Sequence, residues 1–200
     1  MKVASFVISI IAILLSCTAI YFSHLEPFSP LITAGDPMWC METVKVEEKR
    51  LALIVPIIFL NQGAKPGCLA DMKLTFHSYG EARDVNFFPS LILDYSGFVK
   101  AKKKCDSVFQ HAESTFAPIL IPGKESFIRV LVFFSRHMLS PENVKKGKYR
   151  IDFYYLERGK NIAEMFHTAN YNIKQETIDS LKKGVAHVPL NEERDKIRAE

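Results

Sequence analysis

Between Val3 and Phe22 the chain runs VASFVISIIAILLSCTAIYF, twenty residues without a charge, and this stretch constrains everything that follows it. Coiled as a helix at about 1.5 Å per residue it spans about 30 Å, the thickness of a bilayer's hydrocarbon core. It is apolar on every side, whereas the core helix of a globular domain keeps a polar face. Residues 1–22 therefore read as a membrane anchor or signal segment, crossing once. Lys2 precedes the run and no Lys or Arg follows until Lys45. The positive-inside bias then puts the N-terminus in the cytoplasm, and the rest of the chain in the periplasm or outside the cell. Two processing routes lead to the same compartment: Ala19 suits signal peptidase, and Leu14-Leu15-Ser16-Cys17 fits a bacterial lipoprotein box. Against both, Thr18 to Phe22 carry the apolar run past either cut.

Residues 23–38 hold Pro27, Pro30, Gly35 and Pro37, which stop a helix, and read as a linker. A domain is expected from Trp39 to about residue 174, followed by a short helix near Glu176 to Lys183 and a charged tail to Glu200. Within the domain the apolar pattern changes to a period of two, the mark of strands with one buried face. Leu51, Leu53, Val55, Ile57 and Phe59 share a face of one long strand that ends at Asn61-Gln62-Gly63. Pro56 removes a ladder donor inside it, so an edge or a bulge is expected there. Met72, Leu74 and Phe76 alternate with Lys73, Thr75 and His77, and Tyr149, Ile151, Phe153 and Tyr155 with Arg150, Asp152 and Tyr154. Phe87 to Tyr95 is another apolar stretch. Phe116 to Ile121 and Phe127 to Phe134 flank Pro122-Gly123-Lys124, where Pro followed by Gly suits a type II turn. A last strand runs from about Ile162 to Ile173, after a turn at Arg158 to Asn161. Ser140-Pro141-Glu142-Asn143 has the cap and N1 proline of a helical turn.

Seven to eight strands with turns between them predict an all-β fold, an antiparallel immunoglobulin-like β-sandwich behind an N-terminal transmembrane or signal helix. An anchor, then Ile57-Ile58-Phe59-Leu60-Asn61-Gln62-Gly63, then Ile121-Pro122-Gly123-Lys124 ahead of Phe127 to Phe134, resembles bacterial extracytoplasmic membrane-anchored immunoglobulin-like accessory domains. That resemblance spans about Thr43 to Ile173 and implies a fold, with no activity attached. The Cys, Trp, Cys order of antibody domains is missing, since Trp39 precedes every candidate core strand.

A formal charge of +4 is too small and too dispersed for a nucleic-acid footprint. The clusters Lys100 to Lys104 and Lys145 to Lys148 read as solvated loops. Cys40, Cys68 and Cys105 contain no C-x-x-C pair, which argues against zinc and thioredoxin-like sites; outside the cytoplasm either two of the three pair, spacing not choosing which, or all three are buried thiols. There is no G-x-S-x-G elbow, and Gly123-Lys124-Glu125-Ser126 lacks the leading glycine of a phosphate loop. Asp94, Asp152 and Glu164 read as surface carboxylates. No enzymatic function and no cofactor are implied.

Two binding sites are expectations to test. Met72, His77, His137, Met138, Met165 and His167 are the residue types of a soft site suited to Cu(I). Tyr154, on the polar face of its strand, is an outward aromatic of the kind found at contact surfaces; with Tyr149, Tyr155 and Tyr171 it would alternatively line a ligand pocket. The leading expectation is a membrane-tethered extracytoplasmic binding or assembly module, held through residues 3–22 and contacting another envelope protein or its own copies. The alternative is a periplasmic domain binding a small ligand or copper.

Overall fold

The computed structural model describes residues 2–45, 48–79, 84–94, 96, 108–135, 144–182 and 188–189. Helix α1 covers Lys2–Ile20 and continues through a π-helical turn at Tyr21–Leu25. The hydrophobic window Phe6–Leu25 is long and apolar enough to cross a membrane, and none of it packs against the rest of the chain. Its few hydroxyls return inward: Ser16, Thr18 and Ser23 donate to the carbonyls of Ala12, Leu14 and Ala19 at 2.7–2.8 Å. No hydroxyl among these three is left to seek a partner in hydrocarbon.

The domain is mostly antiparallel β. Among the described residues its eleven strands are β1 (Pro30–Ala34), β2 (Met38–Lys45), β3 (Glu48–Asn61), β4 (Gly67–Ser78), β5 (Val85–Leu93), β6 (Ala112–Thr115), β7 (Ile119–Ile121), β8 (Ser126–Ser135), β9 (Gly147–Glu157), β10 (Glu164–Ile173) and β11 (Val188–Pro189). One hydrogen-bonded path runs β10-β9-β4-β5-β8-β3-β2-β11, with β1 beside β3, β6 beside β5 and β7 beside β4. The sheet curls into a barrel-like body, and β1 comes to lie against β10. A sandwich would interrupt this ladder between two sheets. Here β5 continues it, pairing with β4 through Val85 to Phe87 and with β8 through Phe87 to Leu93. Register shifts at Leu69/Asp71 and Pro89/Leu91 supply the bends that curling needs.

The strand count exceeds the expected seven to eight by β1, β2, β6 and β11, which the alternation does not mark, while the strand expected at Phe116 to Ile121 is present as the shorter β7. One of them, β1, lies inside the 23–38 segment read as a linker, so the folded body begins before Trp39. Pro30 is its first residue, a position where a missing N–H costs no ladder bond. Past the domain, helix α2 (Gln175–Lys182) buries Ile178 and Leu181, and β11 pairs with Met38 and Trp39 of β2. The helical turn expected at 140–143 and the charged tail at 190–200 lie outside the described residues.

The inward face of β3 is the one its alternation predicts: Leu51, Leu53, Val55, Ile57 and Phe59 are all buried, in one core with Leu74, Phe87, Phe133, Ile151 and Phe153. The opposite face of its first half is buried too, Ala52 and Ile54 packing with Val130, Val132, Phe134, Leu91 and Cys40. Strands β3 and β8 thus need apolar residues at both parities, which is why LALIVPIIFL and VLVFF read as near-continuous apolar runs. Pro56 falls between Ile57, the last residue paired to β1, and Ile54, the first paired to β2. Its missing donor coincides with the gap where one edge partner gives way to the next.

At one end of the body the chain leaving α1 is fastened directly to two loops, β3–β4 and β7–β8. Glu26 receives the N–H groups of Ala64 and Lys65 on its carbonyl, at 3.1 and 3.0 Å, and its carboxylate pairs with Lys124. Asn61, fully buried, is the hub. Its Oδ1 accepts from Ser29 N–H at 3.2 Å and Gly63 N–H at 2.9 Å, and its Nδ2 donates to the carbonyls of Lys65 at 2.8 Å and Pro122 at 3.0 Å. The Pro122-Gly123-Lys124 turn differs from the expected type II form, because the positive φ (59°) falls on Lys124 and not on the glycine. Gly123 is required for space instead: a Cβ there would lie 1.8 Å from the Ala64 carbonyl oxygen.

Candidate functional site

The outward face of β4, β9 and β10 carries the densest polar network among the described residues. Strand pairing sets Asp152 opposite Thr75 of β4 and Thr168 of β10, His77 opposite Arg150, and Lys73 opposite Tyr154. Asp152 is only 3% exposed. Thr168 donates to its Oδ1 at 2.8 Å, and Arg150 Nη2 lies 3.0 Å from its Oδ2. His77 Nε2 is also 3.0 Å from that oxygen but off the line of a hydrogen bond. The other ring nitrogen, Nδ1, is 2.7 Å from Asp84. Thr75 completes the patch by donating to Asn86 at 2.9 Å. A carboxylate this enclosed is tolerated only because cationic and hydroxyl groups from three strands surround it. It was read as a surface acid: alternation puts it on the polar face, but burial depends on neighbours 75 and 16 residues away in sequence.

Beside this network lies an open cleft of about 160 Å³ lined by Asp71, Met72, Lys73, Phe88, Tyr154, Tyr155, Leu156 and Ala163. Tyr154 lies on the outward face, alternating with buried Phe153 and Tyr155, and is half-buried because it forms part of the cleft wall and the Lys73 ammonium sits 4.8 Å from its ring centroid. Tyr149, Tyr155 and Tyr171, the other ligand-pocket candidates, are buried in the core.

The soft-metal candidates do not converge. Met72 is a core residue, and His77 is flanked by a carboxylate on each ring nitrogen. Met165 is 58% exposed beside Tyr154, four residues along the ladder from the His77 level, about 13 Å at 3.3 Å per residue. His167 lies past a register shift in β10 and packs edge-on against the core ring of Phe153, 5.1 Å away. His137 and Met138 lie outside the described residues, as does Cys105. Among the described residues no three His, Cys, Asp or Glu side chains gather about one point, and Cys40 and Cys68 do not bridge.

At the tip of the β9–β10 hairpin a second cluster locks the turn that Gly159 opens with a φ of 90°. Lys160 pairs with Glu157 at 2.8 Å and Glu164 at 2.9 Å, and Tyr155 donates its hydroxyl to Glu164 at 2.7 Å. Burial first, then the Glu164 hydrogen bond, push the Tyr155 hydroxyl up to about 12, while Lys160 and the Tyr155 bond hold Glu164 below the ordinary carboxylate range. A raised tyrosine stabilises the fold fully below its unfolded value near 10, and that contribution is lost as pH rises through the folded value. Glu164 has the opposite sign: its contribution is present above the unfolded carboxylate value and is lost as pH falls. Absorbance titration of tyrosinate is expected to show one tyrosine ionising near pH 12, moved part of the way back toward 10 by Glu164→Gln. No change in that variant would mean that burial alone sets the shift.

The sequence matches no known protein-family model. No curated protein matches it either.

Proposed function

We propose that this chain is a membrane-tethered extracytoplasmic module that contacts another envelope protein through the outward face of β4, β9 and β10. The observation carrying this reading is Asp152, nearly inaccessible on a face that would otherwise be an ordinary solvated surface. Its enclosure holds Arg150, His77 and Thr168 in fixed positions, and a fixed polar pattern beside an aromatic wall is what recognition of one partner requires. The likeness to immunoglobulin-like accessory domains points the same way as an analogy of arrangement, an anchor followed by a β body with no catalytic motif.

The small-ligand alternative is less well supported. Ligand pockets enclose about 300–1,000 Å³, whereas the cleft at Tyr154 is open and holds about 160 Å³. The copper alternative loses its described members to the core, to the carboxylates and to the two faces of β10.

A photo-crosslinking residue placed at Tyr154 of the full-length protein in its native membrane tests the proposal. The expected result is one discrete adduct, with an envelope protein or a second copy, that weakens at least about tenfold when Asp152→Asn removes the charge, as loss of a charge-assisted contact of about 1.4 kcal/mol implies. Adducts with abundant bystanders only, unchanged by Asp152→Asn, would reject the face as a recognition surface.

A further inference from the structure

The exposed apolar side chains of the folded body are not scattered. Among the described residues outside α1 and its π turn, seven large apolar side chains are exposed, and five of them, Leu31, Ile58, Leu120, Ile128 and Ile162, stand at the end where α1 joins. The ladders place them there. Leu31 is one residue from the start of β1, Ile58 three from the end of β3, Leu120 one from the end of β7 and Ile128 two from the start of β8, while Ile162 is in the β9–β10 turn. Arg158 N–H bonds to the Cys68 carbonyl at 2.8 Å, and Lys124 N–H to the Gly63 carbonyl at 2.9 Å, which ties these loops into one surface. Of the remaining two, Met165 faces Tyr154 in the cleft region and Tyr79 lies at the opposite end, after Ser78.

Ile58 alternates with buried Ile57 and Phe59, Leu31 with Ile32, and Leu120 with Ile119 and Ile121. They therefore point away from the core and form a girdle on the outside of the body, from β1, β3 and β8 round to β7 and the β9–β10 turn. A second protein chain docking on one flank would cover one side of such a ring. A flat apolar phase approached end-on covers all of it.

We infer that this end of the body is seated in the lipid headgroup layer, with the girdle in contact with lipid. The inference rests on α1 being a retained anchor. Leu31, Leu120 and Ile128 lie within about 7 Å of their strand ends at 3.3 Å per residue, inside the roughly 5–8 Å that the headgroup layer adds on each side of the hydrocarbon core, and Ile58, about 10 Å from its strand end, marks the outer rim. No slack separates helix from body: the π turn ends at Leu25, and Glu26 already accepts the N–H groups of Ala64 and Lys65. Lys65 and Arg158 are exposed on the same loops, where lipid phosphates would meet them.

The test uses the full-length chain in vesicles of phosphatidylethanolamine and phosphatidylglycerol, with a benzophenone-bearing residue in place of Leu120, Ile128 or Ile162. Tyr79 is the control at the far end and Phe6 the control inside α1. The expected result is a mass gain of one phospholipid on the labelled peptide at 120, 128 and 162, as at 6, and none at 79. Lipid adducts at 6 but none at the three girdle positions would overturn the seating and leave the tether intact. Adducts joining two copies of the chain at those positions would overturn it in favour of self-association. No lipid adduct at 6 would remove the anchor reading and this inference with it.

Discussion

Asn61→Ala is expected to lower stability by about 4 kcal/mol, since it strands two N–H groups and two carbonyls and each lost hydrogen bond costs about 1 kcal/mol net. The residue is fully buried, and its four partners, at Ser29, Gly63, Lys65 and Pro122, belong to three segments. Without the side chain, the segment that follows α1 and the β3–β4 and β7–β8 loops lose their common partner together. Urea unfolding of the full-length protein in mild detergent reads the change. Asn61→Asp keeps both acceptor roles but turns a carboxylate toward the Lys65 and Pro122 carbonyls. It is expected to be about as damaging at neutral pH and partly restored in acid, where the protonated group donates again. A loss below about 1 kcal/mol in the alanine variant would show that water replaces the amide without difficulty.

Gly63→Ala is expected to cost about 3 kcal/mol or more by forcing backbone apart, at the upper end of overpacking effects. The added Cβ would lie 1.7 Å from the Pro27 carbonyl oxygen and 2.7 Å from its carbon, and neither belongs to a side chain that could turn aside. Relief requires the stretch from Glu26 to Ser29 to lift from the β3–β4 loop. The variant should therefore show two effects: a lower unfolding midpoint, and faster proteolysis within residues 26–30 than the parent. Ile162→Ala, a change at an exposed turn, should stay within about 0.5 kcal/mol of the parent in the same assay. Equal cleavage rates in Gly63→Ala and the parent would contradict the tight packing at Pro27.

The inward faces of β3, β4 and β9 were legible because alternation at period two needs only the identities along one strand. Leu51 to Phe59, Met72 to Phe76 and Tyr149 to Tyr155 all pack where that pattern puts them. The N-terminal apolar helix was legible for the same reason, its signal being local and unbroken. What escaped depends on pairing between distant segments. Strand β1 hides between Pro30 and Gly35 and forms because β3 offers it an edge. The barrel-like closure follows from β5 bonding to both β4 and β8, a choice that no single strand encodes. Asp152 looked like any acid on a polar face, and its burial appears only once Thr75, His77 and Thr168 are set around it. The partial cover that Lys73 gives the Tyr154 ring is again a cross-strand event.

The absence of slack between Leu25 and Glu26 gives the junction a mechanical property. A hinge of several glycines or serines would let the body swivel, and any twist of the helix in the bilayer would dissipate within it. Here the first residue after the helix is already bonded to the β3–β4 loop and paired to Lys124. Were α1 retained in a bilayer, its rotation about its own axis, for example by pairing with a second helix there, would therefore turn the whole body with it. The compass direction in which Asp152 and Tyr154 look, measured in the plane of the membrane, would be set by what happens inside the bilayer.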